Sequence, residues 1–258
     1  MSKKMAIFPN SLTIGNMFFG YWSIIMSIHG DYLTACYFVI LGGICDAFDG
    51  KVARLVKSTS DFGIEFDSLA DVITFGAAPS VMMYMLYKNV YINRYPGLED
   101  LGHLSMIFSF FPLLFASIRL ARFNAELVDP TVKGAFSGLP SPASALTIIS
   151  FVLFEIEQYG GIKHFRWLTA TSLVVSYLMI SRIQYHGFPL LFKKGESFAV
   201  RNLKILSIVV IVVLIVKLKM SLLFPAMIIF VLSGIILNII ERAKREDRGE
   251  FEDDEDQF

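Results

Sequence analysis

DAFDGKVARLVKSTSDFGIEFDSLAD, residues 46–71, places Asp46, Asp49, Asp67 and Asp71 inside two segments otherwise apolar enough to cross a membrane. An ionised side chain near the middle of a bilayer costs roughly 2.5–3.5 kcal/mol on insertion scales, so such residues face a bundle interior and mark a site or a pathway. Asp46 and Asp49 are three residues apart, and Asp67 and Asp71 four apart, so each pair falls on one face of its helix. Two such helices present four negative charges, which repel one another unless a cation sits between them. No His or Cys is among the four, and an all-oxygen donor set suits a hard divalent ion, Mg2+ or Mn2+.

The rest of the stretch fits that reading. Gly50 and Ala53, with Gly63 and Ala70, are small enough to let backbones or a flat ligand approach closely. Lys51, Arg54 and Lys57 stand where the first helix should emerge, suited to the oxygens of a phosphate or diphosphate. A carboxylate-held metal pair beside a diphosphate is the arrangement of phosphoryl-transfer enzymes.

The spacing Asp46-x2-Asp49-Gly50-x2-Ala53-Arg54-x8-Gly63-x3-Asp67-x3-Asp71 resembles, without gap or substitution, the signature of the CDP-alcohol phosphotransferase family of integral membrane enzymes. The resemblance implies that Asp46, Asp49 and Asp67 bind two divalent metal ions. It makes Asp71 either a further ligand or the general base that deprotonates the incoming alcohol. It also implies a CDP-binding set of Gly50, Ala53, Arg54, Ser60 and Gly63, and a homodimer. Use of the four aspartates in structural ion pairs alone is the plainer alternative.

Composition agrees with a membrane protein. Of 258 residues 55% are hydrophobic and 18% charged, and the mean hydropathy is +0.59. The formal net charge is zero, but Lys and Arg gather between apolar segments and residues 250–256 are mostly acidic. No basic stripe supports a nucleic-acid partner. Cys36 and Cys45 lie nine residues apart in one apolar segment, too far along one helix for a disulfide, and read as small buried hydrophobes. No cleavable leader is expected, because the first apolar run lacks a small-residue cleavage site.

The pattern predicts an all-α, polytopic helical protein of about eight spans of ~20 residues each. They fall at 11–28, 31–55, 63–88, 103–124, 139–159, 165–184, 201–217 and 220–240. Residues 1–10 form an amphipathic interfacial lead-in, 11–184 the six-helix core, 185–240 two added spans, and 241–258 a polar acidic tail. With the N-terminus cytoplasmic, 17 of the 23 Lys and Arg fall on that side and six on the other. The positive-inside rule then puts both termini, and the aspartate cluster, at the cytoplasmic face of a multi-pass membrane protein.

Three further stretches bear on substrates. Pro9-Asn10-Ser11-Leu12-Thr13, with Asn16 and Gly20, sets polar residues three and four apart at the start of the first helix. Capping and small-residue packing explain it, while the family resemblance makes Asn10 and Thr13 nucleotide contacts, with Ser11 and Asn16 secondary candidates. In Ser117-Ile118-Arg119-Leu120-Ala121-Arg122-Phe123-Asn124 two arginines share a helix face. They are either snorkelling anchors or a guanidinium fork for a carboxylate or phosphate. Phe136-Ser137-Gly138-Leu139-Pro140-Ser141-Pro142 is either a simple loop or a helix start offering N–H groups to an anion. The acceptor or lipid-phosphate set is therefore Arg119, Arg122, Asn124, Ser137 and Ser141. Glu155, Glu157, His29, His103, His164 and His186 read as interfacial.

RLARFN, FSGLPSP and the later LMISR (residues 178–182) resemble the phosphatidylserine synthase branch of the family, the CDP-diacylglycerol-serine O-phosphatidyltransferases. That implies a CDP-linked lipid, with diacyl or archaeal ether tails, as donor and L-serine as acceptor, in contact with membrane lipids, with CMP released. The alternatives are the same reaction on glycerol 3-phosphate or inositol phosphate and, outside enzymes, a cation or metabolite carrier.

Overall fold

A computed structural model describes residues 7–56, 61–91, 101–128, 138–183, 185 and 220–247, and among these every regular element is helical. Helix α1 is Ile7–Ile28 and α2 is Tyr32–Val56. The carboxylate of Asp31 accepts from the N–H of Thr34 at 3.1 Å and so starts α2. Helix α3, Asp61–Asp71, widens into a π-helical turn at Val72–Ala77 before continuing as α4, Ala78–Leu86, and a second wide turn at Tyr87–Tyr91. Helix α5 is Leu101–Val128. Its internal Pro112 opens the backbone locally, and the N–H of Leu113 donates to Ser80 Oγ on α4 at 3.0 Å.

Helix α6, Ser141–Tyr159, follows the turn at Pro140 and ends on the left-handed Gly160, φ 70°. Helix α7 is Phe165–Ile180, and α8, Leu223–Asp247, follows a single 3-10 turn at Met220–Leu222. The central element is α6. It packs against α2, α7 and α8 as well as the π-helical turn, and twelve of its residues are buried. α1 runs along α2 and covers α3 and α4.

Among the described residues five helical stretches are long and apolar enough to span a membrane: Asn10–Ile28, Tyr32–Asp49, Phe62–Asn89, Leu104–Ala125 and Met220–Ile240. They correspond to five of the eight expected segments. The segments expected at 139–159 and 165–184 are the helices α6 and α7. Sixteen residues of α7 rise about 24 Å, short of a bilayer core of ~30 Å. The one expected at 201–217 lies outside the described residues. α8 continues through Asp247, so the first seven residues assigned to the polar tail are helical.

Glu155 corrects the reading of that residue as interfacial: it is 2% exposed. One carboxylate oxygen accepts from the N–H groups of Lys163 (2.8 Å) and His164 (3.0 Å), and the other pairs with His164 Nδ1 at 2.9 Å. The free N–H groups at the start of α7 need an acceptor, and a carboxylate projecting from the last turns of α6 supplies it.

Candidate active site

Short connections alternate the helix directions, so the start of α1, the end of α2, the start of α3, the end of α5, the start of α6 and the end of α7 share one end of the bundle. The aspartates lie there. One carboxylate oxygen each from Asp46, Asp49 and Asp67 lies within 4.8 Å of the others. Asp49 is 4% exposed and Asp71 9%, and Asp71 lies within electrostatic reach of Asp46, Asp67 and Asp49. The quartet inferred from spacing is thus one cluster, with Asp71 beside the three that converge.

Two residues of α1 reach into it. Thr13 Oγ1 donates to Asp49 Oδ2 at 3.1 Å, and Asn16 Nδ2 donates to Asp71 Oδ1 at 3.0 Å. Thr74, in the wide turn after Asp71, donates from Oγ1 to the backbone carbonyl of Asn16 at 2.9 Å. Asp67 Oδ1 is buried with no hydrogen-bond partner among the described residues. Three convergent carboxylates and an orphaned buried oxygen fit a hard divalent cation, which takes oxygen ligands and offsets their repulsion.

The two arginines of α5 separate. Arg119 is half-buried, Nη1 donates to Ser141 Oγ at 3.3 Å, and Nε is buried without a partner among the described residues. Asp71 lies within electrostatic reach of it. Arg122 is exposed, so the two side chains expected to share a face differ in burial. A step of three residues turns about 60° around a helix, enough at the edge of a bundle to send one side chain inward and the next outward. Asn124 accepts from Ser68 Oγ at 3.1 Å and donates to Glu65 Oε2 at 3.0 Å, bracing α5 against α3.

The approach to α6 is pinned to the end of α7. Gly138 N–H donates to Ile183 O and Leu139 N–H to Leu178 O, both at 2.8 Å. Gly138 has φ +100°, and a Cβ there would stand 2.2 Å from Met179 O, so the position requires glycine. Gly138 and Leu139 therefore meet the end of α7 next to Ser141, which is fully buried. Gly50, Ala53 and Arg54 lie on the last turns of α2 and Gly63 on the first of α3, while Asn10 is half-buried on α1. Ser60 and Ser137 lie outside the described residues. Thr74, Ser68 and Glu65 had no place in the sequence reading. A lone threonine in an apolar run was the only signal for Thr74, and nothing pointed to the other two.

Fold and site together define a multi-pass helical membrane protein with a cluster of four aspartates at one end of its bundle. The chain belongs to the CDP-alcohol phosphatidyltransferase family, whose pattern it matches over residues 6–181, and it is therefore an enzyme rather than a carrier. It is 38% identical over 190 residues to the CDP-diacylglycerol--serine O-phosphatidyltransferase of Helicobacter pylori, covering 70% of this chain and 73% of that one. The Bacillus subtilis protein of the same name is 31% identical over 187 residues, 71% of this chain and 92% of its own. The archaetidylserine synthase of Methanothermobacter thermautotrophicus is 34% identical over 191 residues, 71% and 72% respectively.

Proposed function

We propose that the protein transfers the phosphatidyl group of a CDP-linked lipid, CDP-diacylglycerol or its archaeal ether equivalent, to L-serine and releases CMP. The observation that carries the choice of acceptor is the pair Arg119 and Asp71: a half-buried guanidinium with an unpartnered Nε within electrostatic reach of a buried carboxylate. A guanidinium suits the serine carboxylate, and the neighbouring aspartate suits the hydroxyl. Of the two arginines on α5 only Arg119 turns inward, which matches one carboxylate better than the doubly charged phosphate of glycerol 3-phosphate or inositol phosphate. The names of the relatives support the same acceptor.

In this reading Asp71 takes the proton of the serine hydroxyl as its oxygen bonds to the lipid-side phosphorus. The bond from that phosphorus to the bridging oxygen breaks, and CMP keeps the electron pair. Two divalent ions, Mg2+ or Mn2+, held by Asp46, Asp49 and Asp67, would supply charge neutralisation of the diphosphate and of the leaving CMP when bound. Arg119, with Ser141 beside it, orients the serine. Asn10, Thr13, Gly50, Ala53, Arg54, Ser60 and Gly63 form the CDP side, with Thr13 also holding Asp49. Arg122 and Asn124 are assigned to the rim toward the lipid phosphate, and Ser137, outside the described residues, is assigned the same role. The excess of Lys and Arg at the site end of the helices supports a cytoplasmic active site with both termini on that side, and the family supports a homodimer.

The test is CMP release from CDP-diacylglycerol by the purified protein in detergent with Mn2+, against L-serine, glycerol 3-phosphate and inositol phosphate. Stimulation by L-serine alone is expected. Stimulation by a phosphorylated acceptor and none by serine overturns the assignment.

A further inference from the structure

We propose that Asn16 is a positioning residue that holds Asp71 in its role as base: its amide occupies Oδ1 and keeps the carboxylate from swinging into the Asp46, Asp49 and Asp67 cluster. The proposal rests on the assignment of Asp71 made above.

Asn16 is fully buried. It sits three residues after Thr13 on α1, so the two reach the same cluster, one to Asp71 at 3.0 Å and the other to Asp49 at 3.1 Å. Asp71 is an acceptor when ionised, so the amide must present Nδ2 to it, and Oδ1 then faces the other way. There Oδ1 faces Gly42 of α2 and has no hydrogen-bond partner among the described residues. A Cβ built on Gly42 would come within 3.1 Å of Asn16 Oδ1 and 2.6 Å of Thr74 Cγ2. Behind the amide, Thr74 Oγ1 holds the carbonyl of Asn16 at 2.9 Å from the turn that directly follows Asp71.

The amide is therefore wedged between Gly42 and Asp71, and its backbone is tied to the segment that carries Asp71. A buried amide with an unmatched carbonyl is costly, and an apolar side chain would pack the same space without that cost. What an apolar side chain lacks is a neutral donor for Asp71. A cationic donor would pair with the carboxylate and weaken it as a base. With no donor, the carboxylate is free to turn toward its three neighbours and serve as a fourth ligand. Asn16 thus separates the two roles that the spacing of the four aspartates leaves open for Asp71.

The measurement uses the full-length protein in detergent with CDP-diacylglycerol, L-serine and Mn2+. Asn16→Ala is expected to lower kcat about 10- to 100-fold, the loss of one hydrogen bond to a charged group. The KM for CDP-diacylglycerol and the melting temperature should change little, and Mn2+ affinity, measured calorimetrically without substrate, should hold or tighten. Thr74→Val, which frees the carbonyl of Asn16 and leaves both Asn16 and Asp71 in place, should lower kcat about 3- to 10-fold with the same KM. It keeps the test open if Asn16→Ala does not fold. Unchanged kcat in the variants, weakened Mn2+ binding, or a loss confined to the KM for CDP-diacylglycerol, which would make Asn16 a nucleotide contact, overturns the proposal. Asp71→Asn in the same assay separates the two layers. If it retains turnover the base assignment fails, whereas a dead Asp71→Asn beside a fully active Asn16→Ala refutes only the positioning role.

Discussion

Replacing Asp67 by asparagine separates the electrostatic cost of the aspartate cluster from its use. The ligand oxygens of Asp46, Asp49 and Asp67 lie within 4.8 Å of one another, and two unit charges at that distance repel by about 3.5 kcal/mol at an effective dielectric of about 20. Asp67→Asn removes two of the three pairs. Asp46 and Asp67 are half-buried, and water reaching them screens much of the repulsion, so we expect about 2 kcal/mol of relief rather than ~7. The amide is isosteric, and Asp67 Oδ1 has no hydrogen-bond partner among the described residues to lose. In EDTA the variant should therefore melt roughly 5 °C above the parent. Mn2+ at about 1,000 times its Kd stabilises the parent by about 4 kcal/mol and the variant far less, so the order should invert, with CMP release lost in the variant. Melting curves of the detergent-solubilised proteins, with EDTA and with MnCl2, read both effects. A variant that melts below the parent in EDTA, or an equal rise of both with Mn2+, would refute the reasoning.

The other predictions concern single side chains. Arg119→Gln should raise the KM for serine about 10- to 100-fold, the worth of a hydrogen bond to a charged group, with the KM for CDP-diacylglycerol unchanged; Arg122→Gln, on an exposed side chain, should leave the KM for serine unchanged and raise that for CDP-diacylglycerol by no more than about five-fold, the worth of an exposed ion pair. Equal effects of the two would restore the shared face. Glu155→Ala strands the N–H groups of Lys163 and His164 and should destabilise the protein by about 3 kcal/mol. Its kcat should survive in the folded fraction, because fourteen residues of helix, about 21 Å, separate Glu155 from Ser141. A large fall in kcat without a fall in melting temperature would place Glu155 in the chemistry instead. Gly138→Ala, with φ +100° and a Cβ 2.2 Å from Met179 O, should lower stability by at least ~2 kcal/mol; an unchanged melting curve would mean that the approach to α6 is not pinned to α7.

Much of the site could be read from spacing because its parts are local. Asp46 with Asp49, and Asp67 with Asp71, share helix faces by periodicity, and four charges in apolar helices have few places to go but together. Gly138 is local in the same sense, since it answers to the backbone at its own position, φ +100°. Arg119 and Arg122 show the limit of this. Periodicity puts them on one side of α5, but whether that side is interior or edge depends on the rotation of α5 against α3 and α6. Glu155 failed for a related reason: it lies near the end of its segment, as an interfacial residue does, and only the return of the chain at Lys163 and His164 buries it.

The sequence by itself determined a helical membrane protein, five of its spans and the identity of the acidic cluster, because hydropathy and helical periodicity are properties of contiguous residues, and the spacing of the aspartates carried the resemblance to the family. The tertiary structure alone decided what surrounds the cluster. Asn16 meets Asp71 across 55 positions and Arg119 meets Ser141 across 22, and the wide turn after Asp71 brings Thr74 back to the carbonyl of Asn16. Contacts between helices depend on their relative rotation and register, which packing of α1, α2 and α6 sets and which no stretch of one helix encodes alone.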